Sequence, residues 1–168
     1  MAHILTTCHT TPRRIIWGLA EHYWPQTRYK WPETNLGTIL GCGSIQAQPT
    51  NTNANANQRN PTQPPRSKSS QGISRPLQIL ISESAHLIWV LRCERVIQER
   101  QHERNKIKAR WLRAINARLT NDKITATRIK HEKGFTNLLV NTWEQVLNKS
   151  GDLPENWLNN REVLVGRR

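Results

Sequence analysis

Glycine and proline are both absent between Leu77 and Lys133. A stretch that long without a helix breaker favours extended α-helix over any β architecture, because the two residues most costly inside a helix are missing. Within it Leu77, Leu80, Ile81, Ser84, Leu87, Ile88 and Leu91 recur at helical spacing, predicting a core-facing helix that continues, more polar, to about residue 104. Ile107, Trp111, Ile115 and Leu119 mark the face of a second helix. Thr120, Asn121 and Asp122 read as a break with capping residues, followed by a short basic helix to Lys130. Beyond Gly134, the stripe Phe135, Leu138, Leu139, Trp143, Val146 and Leu147 predicts a last helix, with Lys149 near its C-terminus and Gly151 as its left-handed cap.

Before this region the composition changes twice. Thr10, Thr11 and Pro12 form a helix start, and Ile16, Leu19, Ala20, Tyr23 and Trp24 share one face until Pro25 ends it. The pair Trp24-Pro25 is repeated seven residues later as Trp31-Pro32. The apolar, glycine-rich run Leu36 to Gly43 predicts a buried turn or a short extended piece. Residues 44–76 are then rich in Asn, Gln, Pro, Thr and Ser, with four basic residues and no acid. Such a segment buries too little apolar area to offset its chain entropy and reads as a disordered linker. The expected architecture is all-α: a small helical piece over 1–43, a linker over 44–76 and a helical bundle with long helices over 77–168.

The charge is concentrated. Of the net +13 in 168 residues, +8 falls within 95–131 and +4 within the linker, while 132–168 is neutral. Arg95, Arg100, Arg104, Lys106, Lys108, Arg110, Arg113, Arg118, Lys123, Arg128 and Lys130 stand against Glu99, Glu103 and Asp122. Arg100, Arg104 and Lys108 would stack at i, i+4 and i+8 on one helix. Arginine presents a planar fork suited to phosphate oxygens, and each neutralised phosphate releases counterions, so the run is the candidate surface for RNA or DNA. The competing reading is a solvated helix face.

Other chemistry finds little support. Gly41-Cys42-Gly43 lacks the Lys-Ser/Thr of a phosphate loop. Ser82, Glu83, Ser84 and His86 lack an orienting third group and an oxyanion hole. The twelve acids are scattered, with no metal-holding pair, so no catalytic residue is assigned and no enzyme is expected. Arg92, one turn from Ile88, is expected partly buried, with Glu144 or Glu162 as partner. Cysteines 8, 42 and 93 form no disulfide framework. His3 and Cys8 are the nearest approach to metal ligands, yet a tetrahedral zinc needs four donors. No apolar run approaches bilayer length and no secretory leader precedes the first helix, so the chain is expected inside the cell, in nucleus or cytoplasm, without a membrane partner.

Several strings are distinctive as strings. His3-Ile4-Leu5-Thr6-Thr7-Cys8, Trp31-Pro32-Glu33, Leu36 to Gly43, Ile79 to Trp89, Leu91 to Ile97, Arg110-Trp111, Ala114 to Asn116 and Arg118 to Thr120 resemble the C-terminal region of non-LTR retrotransposon polyproteins of mushroom-forming fungi. These carry reverse transcriptase and RNase H. The resemblance implies the tail that follows the reverse transcriptase zinc-binding segment, without the catalytic carboxylates. It also implies that His3 and Cys8 are the second half of a zinc site whose Cys-x2-Cys lies upstream; this chain alone would hold no cofactor. Three functions follow as expectations: a non-catalytic retroelement fragment binding nucleic acid non-specifically, a helical module that packs on its parent polyprotein or itself through Trp89, Trp111, Trp143 and Trp157, or a non-functional remnant.

Overall fold

The computed structural model describes residues 2–6, 10–50, 68–129, 133–147, 153–154 and 156–166. The expected α-helical architecture is observed: α1 (Ala2–Thr6), α2 (Thr11–Tyr23), α3 (Leu36–Leu40), α4 (Lys68–Ile97), α5 (Arg104–Arg128) and α6 (Lys133–Leu147). The strand content described is one two-residue antiparallel ladder, β1 (Tyr29–Lys30) with β2 (Gln48–Pro49), in register Tyr29↔Pro49 and Lys30↔Gln48.

The N-terminal piece is built on its aromatics. α2 begins with proline in its first turn and ends at Trp24, as Pro25 requires. Trp24 is buried and its indole donates to the Tyr29 carbonyl at 3.0 Å, with the Tyr29 and Trp31 rings 6.0 and 6.3 Å away. The Trp-Pro repeat thus folds back on itself as an aromatic cluster. Trp17 Nε1 donates to the Leu5 carbonyl at 3.1 Å and anchors α1 against α2. The run Leu36 to Gly43 is neither a buried turn nor an extended piece. It is a one-turn helix, with Asn35 Oδ1 accepting from the Thr38 N–H at 2.9 Å, then a 3-10 turn; Ile39 is buried but Leu40 faces solvent.

Within the expected linker 44–76, residues 44–50 and 68–76 are structured. Residues 44–50 are ordered by the ladder and by Thr50, whose N–H donates to the Arg28 carbonyl at 3.0 Å. α4 begins at Lys68, before Pro76 rather than after it. Pro76 removes the donor that would reach residue 72 and crowds that carbonyl with its ring, a local cost that tertiary contacts offset. Ser74 Oγ accepts from the Ala47 N–H at 3.0 Å, and Gln78 Nε2 donates to the carbonyls of Gly43 and Ile45. A Cβ on Gly72 would come within 2.6 Å of Asn141 Cβ, so glycine here lets α4 approach α6 closely. Residues 51–67 of the expected linker lie outside the described residues.

α4 and α5 form an antiparallel hairpin. The break expected at 120–122 is absent, and α5 runs unbroken from Arg104 to Arg128. The real break lies earlier: α4 stops at Ile97, Glu99 adopts φ 51°, and the Arg100 N–H returns to the Glu94 carbonyl at 3.2 Å. Cross-hairpin partners descend in register: Glu94 with Arg110, Ser84 with Trp111, Glu83 with Arg118, Arg75 with Asp122. Asp122 is a tertiary pin. Its carboxylate takes both arms of Arg75 at 2.7 and 2.8 Å and the Trp143 indole N–H at 2.7 Å, joining α4, α5 and α6.

The 1–43 segment and the bundle share one hydrophobic core. Leu5, Ile16, Trp17, Ala20 and Trp24 join Leu80, Leu91, Trp111, Leu119, Trp143 and Trp157 in a continuous buried cluster. Tyr23 stacks on Trp111 with ring centres 5.4 Å apart, and burial pushes its phenol pKa up. The C-terminal tail is held by α5: the Asn116 amide accepts from the Val165 N–H at 2.7 Å and donates to the Val165 carbonyl at 3.1 Å. Lys149 and Gly151 lie outside the described residues.

Candidate nucleic-acid interface

The eleven basic residues of 95–130 separate into structural and available groups. Lys123 is in the core, 8% exposed, donating to the Asn160 and Val163 carbonyls at 2.9 and 2.8 Å and sitting 5.6 Å from the centre of the Trp157 ring. Burial lowers its pKa. It fastens the tail and is not a surface cation. Arg110 is bound on both arms by Glu94, at 2.6 and 2.8 Å. That hydrogen bonding holds the Glu94 carboxyl below its ordinary pKa and raises that of Arg110. Arg118 meets Glu83 at 3.1 Å and stays half exposed. Lys106 meets Glu103 at 3.3 Å, both well exposed, a pair worth little.

Arg95, Arg100, Arg104, Lys108, Arg113 and Arg128 are exposed, with no ion pair among the described residues. Lys130 lies outside the described residues. The expected i, i+4, i+8 row of Arg100, Arg104 and Lys108 does not form, because Arg100 belongs to the loop between α4 and α5. The loop brings Arg100 instead against the first turns of α5. There Arg100, Gln101, His102, Lys106, Arg110 and Arg113 line an open cleft of about 470 Å³ without a carboxylate on its wall.

Two carboxylates border this cleft, Glu94 on Arg110 and Glu103 on Lys106, and Arg100 and Arg113 are its cations without an ion pair among the described residues. Glu103 is the N-cap of α5 but makes no capping hydrogen bond, and the first turn has no acid. Arg104, Lys106 and Lys108 therefore crowd the positive end of a 25-residue helix, where cations are disfavoured. A phosphate placed there would relieve this repulsion and accept from the unsatisfied helix N–H groups. Beneath the cleft the His102 ring is 8% exposed. Its Nε2 lies 3.0 Å from Glu94 Oε2 but off the hydrogen-bonding direction, and it makes no hydrogen bond. Sequence spacing could not have singled out His102, since the loop places it.

The remaining candidates separate as follows. Ser84 is buried and accepts from Trp111 Nε1 at 2.9 Å, Glu83 pairs with Arg118, and His86 faces solvent, so these residues do not converge. Arg92 is exposed rather than partly buried, and so are Glu144 and Glu162. His3 is exposed on α1 and Cys8 lies outside the described residues, among which no three His, Cys, Asp or Glu side chains are grouped as a metal site would require. No described helix is long and apolar enough to cross a membrane. No family model, curated protein or solved structure matches the chain.

Proposed function

We propose that this chain is a non-catalytic nucleic-acid-binding module, the C-terminal part of a retroelement reverse transcriptase-like protein, and that it grips RNA or DNA backbone without sequence selection. The observation that supports binding is the cleft at the α4–α5 turn, whose wall carries Arg100 and Arg113, both exposed and in no ion pair among the described residues. Phosphate is the ligand these groups share, and nothing in their arrangement reads base edges. The retroelement assignment rests on the sequence strings alone. Zinc would require donors besides His3 and Cys8, so it has no part in this reading.

The test is a salt titration of binding to a labelled oligonucleotide. Engaging three phosphates gives a slope of log K against log salt near about −2 to −3. Replacing Arg100 or Arg113 by Gln should flatten the slope by about one unit each, equally for unrelated sequences. A flat wild-type response, or no binding at low salt, overturns the proposal. An in-frame Cys-x2-Cys coding sequence just upstream would support the retroelement origin; its absence from the genomic locus would count against it.

A further inference from the structure

Of the seven tryptophans, Trp17, Trp24, Trp111, Trp143 and Trp157 are buried and Trp31 is half-buried. Trp89 is the exception, 38% exposed on α4. Three of the four expected interaction anchors are therefore core, and only Trp89 offers its ring outward. Its neighbours along the same face are His86 one turn before and Arg92 one turn after, with Val96 beyond, all exposed. The acids of α4 are Glu83 and Glu94, and both are drawn toward α5 by Arg118 and Arg110. The outer face of α4 is thus a large aromatic ring between an imidazole and a guanidinium, with no carboxylate of its own helix beside it.

We propose that Trp89 is a stacking platform for an unpaired base, with Arg92 and His86 taking the adjacent phosphates, so that the protein prefers single-stranded nucleic acid. This deepens the nucleic-acid reading above and rests on it. An indole left accessible offers a π-face that any base can cover, whereas in a duplex those faces are already occupied by neighbouring pairs. A second copy of the chain fits the face poorly, because Arg92 and Arg95 would meet their own counterparts in a molecule of net charge +13.

The deciding experiment compares a labelled oligo-dT and an oligo-U with a blunt duplex of equal length, using wild type, Trp89→Ala, Trp89→Phe and Arg100→Gln, with tryptophan emission as second readout. Wild type should bind the single strands more tightly and show quenching of exposed emission that Trp89→Ala lacks. Trp89→Ala should weaken single-strand binding about 5- to 150-fold and leave duplex binding within about twofold, while Trp89→Phe retains most of the affinity. Arg100→Gln should weaken both. If Trp89→Ala binds single strands like wild type while Arg100→Gln does not, the stacking proposal fails and the nucleic-acid reading stands. No binding by wild type overturns both. A wild-type dimer in sedimentation that Trp89→Ala dissociates would make the face a contact between copies and overturn the platform.

Discussion

Asp122 offers the sharpest test of how the bundle is held. Asp122→Ala removes the acceptor shared by Arg75 and Trp143. The two losses differ in kind. The Arg75 side chain is 29% exposed, so its guanidinium rehydrates, and that loss costs about 0–1 kcal/mol. Trp143 is 1% exposed, and its indole N–H is left buried without a partner, at about 1–3 kcal/mol. The sum centres on about 2–3 kcal/mol, which for a chain of this size lowers Tm by roughly 5–10 °C. Arg75→Ala should cost less than Asp122→Ala, because Asp122 keeps Trp143. Urea unfolding of both variants, with a double-mutant cycle of Asp122→Ala and Trp143→Phe, reads the difference directly. The reasoning is refuted if Asp122→Ala costs no more than Arg75→Ala, or if the cycle shows no coupling.

Three further outcomes follow from the same geometry. The carboxyl of Glu94 is held below its ordinary pKa by Arg110, so its stabilisation is full above about pH 4.3 and is lost as pH falls through the lower folded-state value. Glu94→Gln should therefore be less stable than wild type in urea at pH 7, and the gap should narrow as pH falls below the ordinary carboxylate range; a gap of the same size at every acidic pH would remove the ion pair from the account. Gly166, at φ +79°, would place a Cβ 2.9 Å from Leu112 Cδ2, so Gly166→Ala should destabilise by at least about 1–2 kcal/mol, whereas Gly18→Ala, in open space within α2, should gain about 0.5–1 kcal/mol. Lys123→Met leaves the Asn160 and Val163 carbonyls without their donor and should cost about 1–3 kcal/mol. Amide exchange over 157–165 should rise in that variant, and unchanged protection would show that the lysine does not fasten the tail.

Asp122 also shows where local reading stops. Thr120, Asn121 and Asp122 compete for backbone hydrogen bonds and favour caps, which is why they suggest a break. In the structure the Asp122 carboxylate is engaged across the hairpin instead, and α5 continues to Arg128. Pro76 misleads in the same direction, since the helix before it is stabilised by partners at 43–47 and 141 that no window around 76 contains. Conversely, the apolar stripes of α2, α5 and α6 were legible because a 3.6-residue period is a local property, and Ile107, Trp111, Ile115 and Leu119 are all buried as their spacing implies.

The sequence by itself determined the all-α class, the apolar faces and the excess of positive charge within 95–131. Only the tertiary structure decided which of those cations stay available to a ligand. Spacing along a chain sets which side chains share a helix face. It does not set which acid lies opposite on another helix, and that pairing removed Arg110 to Glu94 and Lys123 to two tail carbonyls. The turn at Glu99 likewise moved Arg100 off its helical row and onto the cleft, and the packing that buried five tryptophans left Trp89 outside. Charge is written residue by residue, whereas its availability depends on contacts between segments distant in the chain, which form only when the helices dock.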